Sequence, residues 1–339
     1  MQRLEACVLR RESALRCHVD RKDRLAGERA KGGFVACEGV NGFSEDRHRA
    51  SVVDLPLARK PCPSFVCGSQ PVHENGPGCV SRRYYSGGVV VNELDVDHFH
   101  RTGWLLTSPF FAERVKDLRS WVDDVQSWPD EGDWLHYRER TEYGPRLCRT
   151  ENFVPFHSQL RQLLTAGPIL EIAGALLGEP ALLYKEKINY KMAGGAGYAP
   201  HQDAPAYRFV DTHVSCMIAI DDSLVENGCL EVVSGHHEKL LPVNGRGCIV
   251  DEVVQQMSWE AVEVKAGDVL WFHSLTPHRS GPNNSACDRR AMYPTFNAAS
   301  EGNLRQAYYE QKLREFNETP RTAGTVQVSL INDFEGRPV

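Results

Sequence analysis

Two side chains in the C-terminal half of the chain have the types and spacing of metal ligands. His201 and Asp203 are two residues apart, and on a β-strand residues i and i+2 project from the same face, so both could bind one metal ion from one wall of a barrel. The pair alone is weak evidence, because His18 and Asp20 repeat the spacing near the N-terminus. The plainer interpretation of His201 is a loop histidine that follows a glycine-rich turn.

A third ligand is available downstream, next to a short apolar segment at residues 269–273 that has the composition of a buried strand. His278 lies in the polar loop after this segment, and His273 at its end is the alternative. Two imidazole nitrogens and one carboxylate on one face of iron(II) leave three coordination positions open, and non-haem oxygenases use that geometry. Either histidine could complete such a site with His201 and Asp203.

An arginine follows on the next apolar segment. Residues 289–297 begin with Arg289 and Arg290 and continue with apolar and aromatic side chains, which favours a strand. The Arg289 guanidinium could bind the carboxylate of a small acid through two parallel hydrogen bonds. Otherwise a buried Arg289 would need a carboxylate of the protein as its partner. Arg290 is the alternative anchor, and alternation along the strand should point it to the opposite face.

Taken in order, these motifs resemble the phytanoyl-CoA dioxygenase family. The family pattern has a His-x-Asp pair, a distal histidine followed by Ser-Gly-x-Asn, and an arginine eleven positions after that histidine. A further segment, residues 226–236, is similar to the family's Asn-Gly-x-Leu motif. The resemblance runs from about Asp95 to about Asn297. The matching positions are His201, Asp203, His278, Ser280-Gly-Pro-Asn283 and Arg289.

The resemblance implies a dioxygenase that uses iron(II), 2-oxoglutarate and O2 to hydroxylate an unactivated C–H bond. It implies that His201, Asp203 and His278 are the iron ligands and the catalytic centre, with Arg289 and Ser280 binding 2-oxoglutarate. A halogenase of the same fold would need a small residue in place of Asp203. A non-catalytic cupin-like binding protein is the alternative from a different class, and the complete set of ligands disfavours it.

A row of polar residues precedes the His-x-Asp pair. Alternation along residues 182–191 should place Lys185, Lys187, Asn189 and Lys191 on one face of a strand. If that face looks into the barrel, Lys187 or Asn189 could contact 2-oxoglutarate or an anionic substrate. The alternative is a solvated strand edge, where lysines discourage aggregation.

The substrate is the least determined part of the sequence. Arg146 and Arg149 lie in an aperiodic stretch before the predicted barrel, and such polar segments often carry binding residues. Basic side chains near the mouth would favour a small anionic or zwitterionic substrate. Some bacterial members of the family hydroxylate aminoalkylphosphonates, and residues 200–207 and 293–302 look similar to theirs. An acyl-CoA thioester or a secondary metabolite is the alternative.

Periodicity predicts helices first and strands later. Residues 96–122 indicate a short helix, a strand and an amphipathic helix, whereas residues 128–157 have little period. A helical stretch at 159–177 is broken by Gly167-Pro168. The predicted class is therefore α+β: a double-stranded β-helix, or jelly roll, with flanking helices packed on one sheet. The predicted strands are 182–191, 214–220, 229–233, 262–264, 269–273 and 290–297, followed by a helix at 304–316 and a strand at 326–331.

Composition divides the chain near Gly88. Residues 1–88 hold 15 Lys and Arg against 10 Asp and Glu, out of totals of 39 and 45, which leaves the rest strongly acidic. They lack a persistent apolar period and predict a disordered extension. Residues 89–339 form the predicted dioxygenase domain, with a jelly-roll core at about 181–299. An acidic domain disfavours nucleic acid as a partner.

The sequence also bears on the cellular location of the protein. It has no run of about 18 or more consecutive apolar residues, so we expect no membrane span and no membrane partner. Eleven cysteines without regular spacing indicate reduced thiols and a cytoplasmic protein. The expected partner is a small-molecule substrate, and the oligomeric state is not encoded in any pattern that we can interpret.

Overall fold

A computed structural model describes residues 84–86, 89–207, 209–210, 212–318, 327–329 and 331–339. The chain divides into two units, Met1–Glu74 and Asn75–Val339, and every described residue belongs to the second. The predicted disordered extension, apart from residues 84–86, lies outside the described residues.

Two facing antiparallel sheets form the body of the described unit. The larger sheet has the strand order β3-β11-β8-β13-β6-β5-β4, and the smaller sheet has the order β10-β9-β12-β7. A short hairpin, β1 (Tyr84–Ser86) with β2 (Val89–Val91), stands apart from both. The larger sheet comprises β3 (Trp104–Thr107), β4 (Leu135–Thr141), β5 (Gly144–Glu151), β6 (Ala181–Lys191), β8 (His213–Ala219), β11 (Val269–His273) and β13 (Arg289–Ala298). The smaller sheet comprises β7 (Tyr198–His201), β9 (Leu230–Val232), β10 (Glu260–Val262) and β12 (His278–Ser280).

The first four helices pack on the outer face of the larger sheet, as the sequence predicts. Leu118, Val122 and Val125 recur at helical spacing on α2 and are fully buried in the main hydrophobic core. The helix α1 begins with a capping box between Asn92 and Asp95 and ends at Gly103, whose φ of 86° suits glycine. The helices are α1 (Glu93–Thr102), α2 (Val115–Ser127), α3 (Ser158–Thr165), α4 (Pro168–Leu177), α5 (Asp251–Val254) and α6 (Arg305–Glu318).

Strands β6 and β13 form the centre of the larger sheet. Their register pairs Lys191 with Arg289 at one end and Ala181 with Ala298 at the other. β6 also pairs with β5, so it is an interior strand and not the solvated edge that was the alternative for its lysines. Lys185, Asn189 and Lys191 are buried, and the polar row therefore faces the space between the sheets.

Three details of the predicted elements are wrong. Residues 128–157, which lack an apolar period, contain the hairpin of β4 and β5, because the inward face of these strands is polar and includes Glu139, Arg149 and Glu151. The predicted strand 262–264 lies two residues earlier, at Glu260–Val262. In the predicted strand 326–331, residues 326 and 330 lie outside the described residues and the others are not in a strand.

One stretch, Ser158–Leu177, is long and apolar enough to cross a bilayer when it is judged by length and mean hydropathy. The sequence prediction of no membrane span relied instead on runs of consecutive apolar residues, and polar residues interrupt this stretch. The structure divides it at Gly167, whose φ is 72°, into α3 and α4. Leu160 and Ile169 are fully buried in the main core, and a core helix of a folded domain passes the same test.

Candidate metal centre and active site

His201 and His278 lie directly opposite each other in the smaller sheet. His201 is the last residue of β7, His278 is the first of β12, and the two are paired in the antiparallel register. Their ring centroids are 4.2 Å apart. One ligand atom from each histidine and one from Asp203 lie within 4.8 Å of one another, and all three side chains are buried. The structure therefore brings together the three residues that the sequence singled out.

Asp203 reaches this position differently from the sequence prediction. It is not in a strand: β7 ends at His201, and Asp203 precedes the short 3-10 helix Ala204–Ala206 with αR backbone angles. The i, i+2 strand geometry was therefore the wrong reason for its proximity to His201. The chain turns after the strand and directs the carboxylate back toward the histidines.

Hydrogen bonds fix both histidines in one orientation. His201 Nδ1 is 2.7 Å from the Ala199 carbonyl oxygen, and His278 Nδ1 is 2.9 Å from the Thr276 carbonyl oxygen. Since a carbonyl can only accept, each Nδ1 must carry a proton, which leaves Nε2 of each ring as the atom that can bind a metal. Burial, with repulsion from His201, lowers the pKa of His278 to about 4, so that ring is neutral near pH 7.

Asp203 is held in its ionised form. Burial alone would raise the pKa of this carboxyl, but Lys187, His278 and His201 hold the pKa well below its usual range. Its Oδ1 is 3.7 Å from His201 Nε2. An ionised carboxylate and two neutral imidazoles are the protonation states that metal ligation requires.

A second polar group, which we call the anchor cluster, consists of Arg289, Lys191 and Ser280. Arg289 is 1% exposed and donates a hydrogen bond to the Gly228 carbonyl, whereas its Nε is buried without a hydrogen-bond partner. Lys191 Nζ donates to Ser280 Oγ at 2.9 Å and to the Gly228 carbonyl oxygen at 3.2 Å. Burial and the nearby Arg289 lower the pKa of Lys191 well below its usual value. Two buried cations with an unsatisfied N–H favour an anionic ligand.

The triad opens onto two cavities that share part of their lining. The first has a volume of about 410 Å³, which includes space open to solvent, and is lined by all three triad residues together with Lys187, Asn189 and Ser280. The second has a volume of about 310 Å³, also partly open to solvent, and shares Lys187, Asp203 and Asp333 with the first. Its other charged lining residues are Arg149, Lys185 and Lys312. The space around the triad is therefore rich in buried cations.

The alternative ligand and anchor lie elsewhere. The His273 ring is 5.6 Å from that of His237 and is outside the triad, and its Nδ1 accepts from the Leu275 N–H. Arg290 forms ion pairs with Asp221 and Asp123 on the opposite side of β13, as strand alternation predicts.

The two arginines proposed near the substrate are separated by the fold. Arg149 is fully buried, donates to Asn189 Oδ1 at 3.0 Å and to the Val328 carbonyl oxygen, and lines the second cavity. Arg146 is exposed and lines neither cavity. The structure thus brings Arg149 to the site and leaves Arg146 outside it.

Sequence reasoning missed Asp333. Its Oδ2 lies 3.2 Å from His201 Nε2, and its backbone carbonyl accepts from the Ala199 N–H at 2.8 Å. The residue is buried, and it belongs to a C-terminal segment that forms a bridge between Phe334 and Tyr198. No local pattern marks it, because the contact joins positions more than 130 residues apart in the chain.

Comparison with known proteins agrees with this geometry. The family model for phytanoyl-CoA dioxygenase matches residues 99–291. The methylphosphonate hydroxylase of Gimesia maris is 44% identical over 252 residues, which cover 73% of this chain and 97% of the relative. The 2-aminoethylphosphonate dioxygenase of an uncultured bacterium is 38% identical over 221 residues, which cover 63% of this chain and 84% of the relative.

Solved structures share the fold at lower identity. EctD from S. alaskensis, solved with 2-oxoglutarate and 5-hydroxyectoine, superposes with a TM-score of 0.56 at 19% identity, over 66% of this chain and 82% of EctD. SnoK, a non-heme alpha ketoglutarate dependent carbocyclase, gives a TM-score of 0.51 at 21% identity, over 62% and 85%. The predicted jelly roll with flanking helices is confirmed.

The chain belongs to the phytanoyl-CoA dioxygenase family. Within it, the chain is an iron- and 2-oxoglutarate-dependent dioxygenase, which confirms the reaction class and the cofactors expected from the sequence.

Proposed function

We propose that His201, Asp203 and His278 bind the iron(II) of this enzyme. The donor set supports this, because two imidazoles and one carboxylate on one face leave open positions for a co-substrate and O2. Bound iron supplies the oxidant that removes a hydrogen atom from an unreactive carbon. The residues around it hold the ligands in place: the Ala199 and Thr276 carbonyls orient the two rings.

We propose that the anchor cluster binds the distal carboxylate of 2-oxoglutarate. The support is the unpartnered Nε of buried Arg289, with Lys191 and Ser280 beside it. A carboxylate placed there would accept from the guanidinium as a fork and from the Ser280 hydroxyl. Lys187 and Asn189 line the cavity closer to the triad. Asn189 Oδ1 already accepts from Arg149 Nε at 3.0 Å, and a direct contact of either residue with 2-oxoglutarate or with an anionic substrate stays a prediction.

We propose that the substrate is a small phosphonate, which the enzyme hydroxylates at carbon. Two relatives of this chain carry that chemistry in their names, a methylphosphonate hydroxylase and a 2-aminoethylphosphonate dioxygenase. The single observation that carries the assignment in this chain is the excess of cationic side chains that line the cavities around the triad, from Lys185 and Lys187 to Arg149. An anionic substrate would compensate that charge.

The experiment is succinate release measured with iron(II) and 2-oxoglutarate across a compound panel. We expect methylphosphonate or 2-aminoethylphosphonate to stimulate succinate formation stoichiometrically with hydroxylated product. The panel should contain an acyl-CoA thioester and zwitterionic amino acids. Stimulation by the thioester alone would contradict the phosphonate assignment. An absence of any iron-dependent turnover of 2-oxoglutarate would favour a binding protein without catalysis.

We also propose a cytoplasmic location. The five cysteines within the described ranges are free thiols, and four of them are buried, which fits a reducing compartment. Cell fractionation with an antibody against the chain tests this, and recovery in an oxidising extracytoplasmic compartment would contradict it.

A further inference from the structure

Two lysines on β6 form a second cationic group, which we call the lysine pair. Lys185 is 6% exposed and Lys187 is partly buried, and both line the cavity that they share with Asp203. They occupy alternate positions of one strand, so their side chains project from the same face. Each lies near enough to the other for repulsion to lower the pKa of Lys185, in addition to the larger effect of burial.

Carboxylates act on these two ammonium groups only at a distance: Asp203 and Glu151 influence the pKa of both lysines, and within the described residues neither forms a salt bridge to them. Lys185 Nζ lies 4.2 Å from the ring centroid of Tyr207, and Lys187 Nζ lies 5.4 Å from that of Tyr293. In the described part of the chain, these ring faces are their close partners, and neither Nζ has a hydrogen-bond acceptor or forms a salt bridge. Ring faces tolerate a cation but do not cancel its charge.

Neighbouring cations in the same cavity are treated differently. Lys312 Nζ donates to Glu151 Oε2 at 2.6 Å, and Arg149 donates to Asn189 and to the Val328 carbonyl. Lys312 and Arg149 thus have hydrogen-bond acceptors in the chain, whereas in its described part the ammonium groups of the lysine pair have none. A buried ammonium without a carboxylate costs stability, so its retention points to a ligand that supplies the missing negative charge.

The lysine pair and the anchor cluster lie at different ends of the polar row on β6. Lys191 pairs in register with Arg289 and contacts Ser280, which is two residues from His278 on β12. Lys185 and Lys187 line the second cavity together with Asp203, and no residue of the anchor cluster is among the described residues that line it. At about 3.3 Å per residue, Lys187 and Lys191 are roughly 13 Å apart along β6. A ligand on the lysine pair is therefore separate from the carboxylate held by the anchor cluster.

We propose that the lysine pair binds the phosphonate group of the substrate and so places the adjacent carbon next to the metal. This inference rests on the proposed phosphonate substrate and adds the residues that recognise it. Two ammonium groups match a doubly charged tetrahedral anion better than a singly charged one of the same shape. The enzyme should therefore prefer a phosphonate to the sulfonate of equal size.

The test is anaerobic calorimetry on the full-length protein loaded with iron(II) and 2-oxoglutarate. Wild type, Lys185→Met, Lys187→Met and the surface control Lys265→Met are titrated with methylphosphonate, 2-aminoethylphosphonate and methanesulfonate. Lys265 is a suitable control because its side chain is exposed and pairs only with Asp222 near the surface. The affinity of each variant for 2-oxoglutarate is measured in parallel with iron(II) alone.

We expect either variant of the lysine pair to raise the Kd for methylphosphonate at least tenfold while the Kd for 2-oxoglutarate changes less than about twofold. We also expect wild type to bind methylphosphonate more tightly than methanesulfonate, and each variant to narrow that preference. Removal of a buried unpaired charge should leave the melting temperature of the ligand-free protein unchanged or higher. If Lys185→Met does not fold, Lys185→Gln takes its place.

Two outcomes would overturn the inference. Variants that bind methylphosphonate like wild type, or that lose 2-oxoglutarate instead, would remove the lysine pair from substrate recognition and leave the phosphonate assignment standing. A wild-type protein that binds 2-oxoglutarate but neither phosphonate would overturn the inference and the proposed substrate class together.

Discussion

The two cationic ends of the polar row on β6 differ in how the protein treats their charge. At the anchor cluster, Lys191 and Arg289 donate to backbone carbonyls and to Ser280, and one guanidinium N–H is left without a partner. At the lysine pair, Lys185 and Lys187 have aromatic faces beside them. The anchor cluster presents a guanidinium held by hydrogen bonds, which suits one carboxylate in a fixed position. The lysine pair presents two ammonium groups without hydrogen-bond acceptors in the described part of the chain. This difference suggests that co-substrate and substrate are recognised by separate means on one strand.

Loss of a residue that binds the metal should abolish turnover of both 2-oxoglutarate and the phosphonate, since both reactions need the same iron. We expect Asp203→Ala to lower iron affinity by more than about 100-fold, because even indirect partners of metal ligands contribute 10–100-fold. Metal analysis after gel filtration, with succinate formation, measures this.

Asp333→Asn is the matched control, because its carboxylate contacts His201 but does not belong to the group of three that could hold one ion. We expect Asp333→Asn to lower iron affinity less than Asp203→Ala does, because Asp333 acts only through His201. If Asp203→Ala bound iron like wild type while Asp333→Asn did not, the ligand assignment would be wrong.

Removal of the Arg289 guanidinium should weaken the binding of 2-oxoglutarate at the anchor cluster and leave the lysine pair intact. We expect Arg289→Met to raise the Kd for 2-oxoglutarate at least about 30-fold, since truncation of one member of a buried charged hydrogen-bonded pair costs roughly 2 kcal/mol or more. Methylphosphonate affinity should change little. Fluorescence or calorimetric titration under anaerobic conditions gives both constants.

The adjacent Arg290→Met provides the control, because Arg290 pairs with Asp221 and Asp123 on the outer face of the sheet. An equal loss of 2-oxoglutarate binding in both variants would show that Arg289 has no specific part in the anchor cluster.

Substitution of Glu151 should give the smallest effect, a change in the pH dependence of stability. It tests whether Lys312 and Arg149, unlike the lysine pair, are neutralised by a carboxylate of the protein. Burial would raise the pKa of this carboxyl, but Lys312 and Arg149 lower it from 4.5 to about 2. A lowered folded-state pKa means that the stabilisation is present above pH 4.5 and is lost as the pH falls toward 2. Between pH 5 and pH 3 we expect a loss of about 2 kcal/mol in the free energy of unfolding from this group.

Urea unfolding of wild type and Glu151→Gln at several pH values measures this contribution. The variant should be less stable at pH 5, and its stability should depend less on pH over that interval. Parallel pH curves for the two proteins would mean that Glu151 does not neutralise Lys312 and Arg149.

The sequence predicts the proximity of His201, Asp203 and His278, because each motif is short and the pairing of β7 with β12 brings the motifs together. His201 and Asp203 are neighbours in the chain, and Arg289 follows His278 by eleven positions. Alternation also places Lys185 and Lys187 on one face correctly. It could not show that β6 is an interior strand, since that depends on its pairing with β5 and β13.

The remaining features depend on contacts that no local pattern contains. The hairpin of β4 and β5 has no apolar period because its inward face carries Arg149 and Glu151 to the active site. Because these inward-facing residues are polar, the strands lack the alternation of apolar and polar residues by which strands are recognised in a sequence. Asp333 reaches His201 from a distant C-terminal segment, and only the folded chain reveals it.

The most direct test of the two-ended site is a crystal structure of the enzyme prepared anaerobically with iron(II), 2-oxoglutarate and methylphosphonate. We expect iron bound by His201 Nε2, His278 Nε2 and an Asp203 oxygen. The distal carboxylate of 2-oxoglutarate should contact Arg289, and the phosphonate should contact Lys185 and Lys187. Iron bound elsewhere, or a phosphonate seated on Arg289 instead of the lysine pair, would contradict the proposed division of the site.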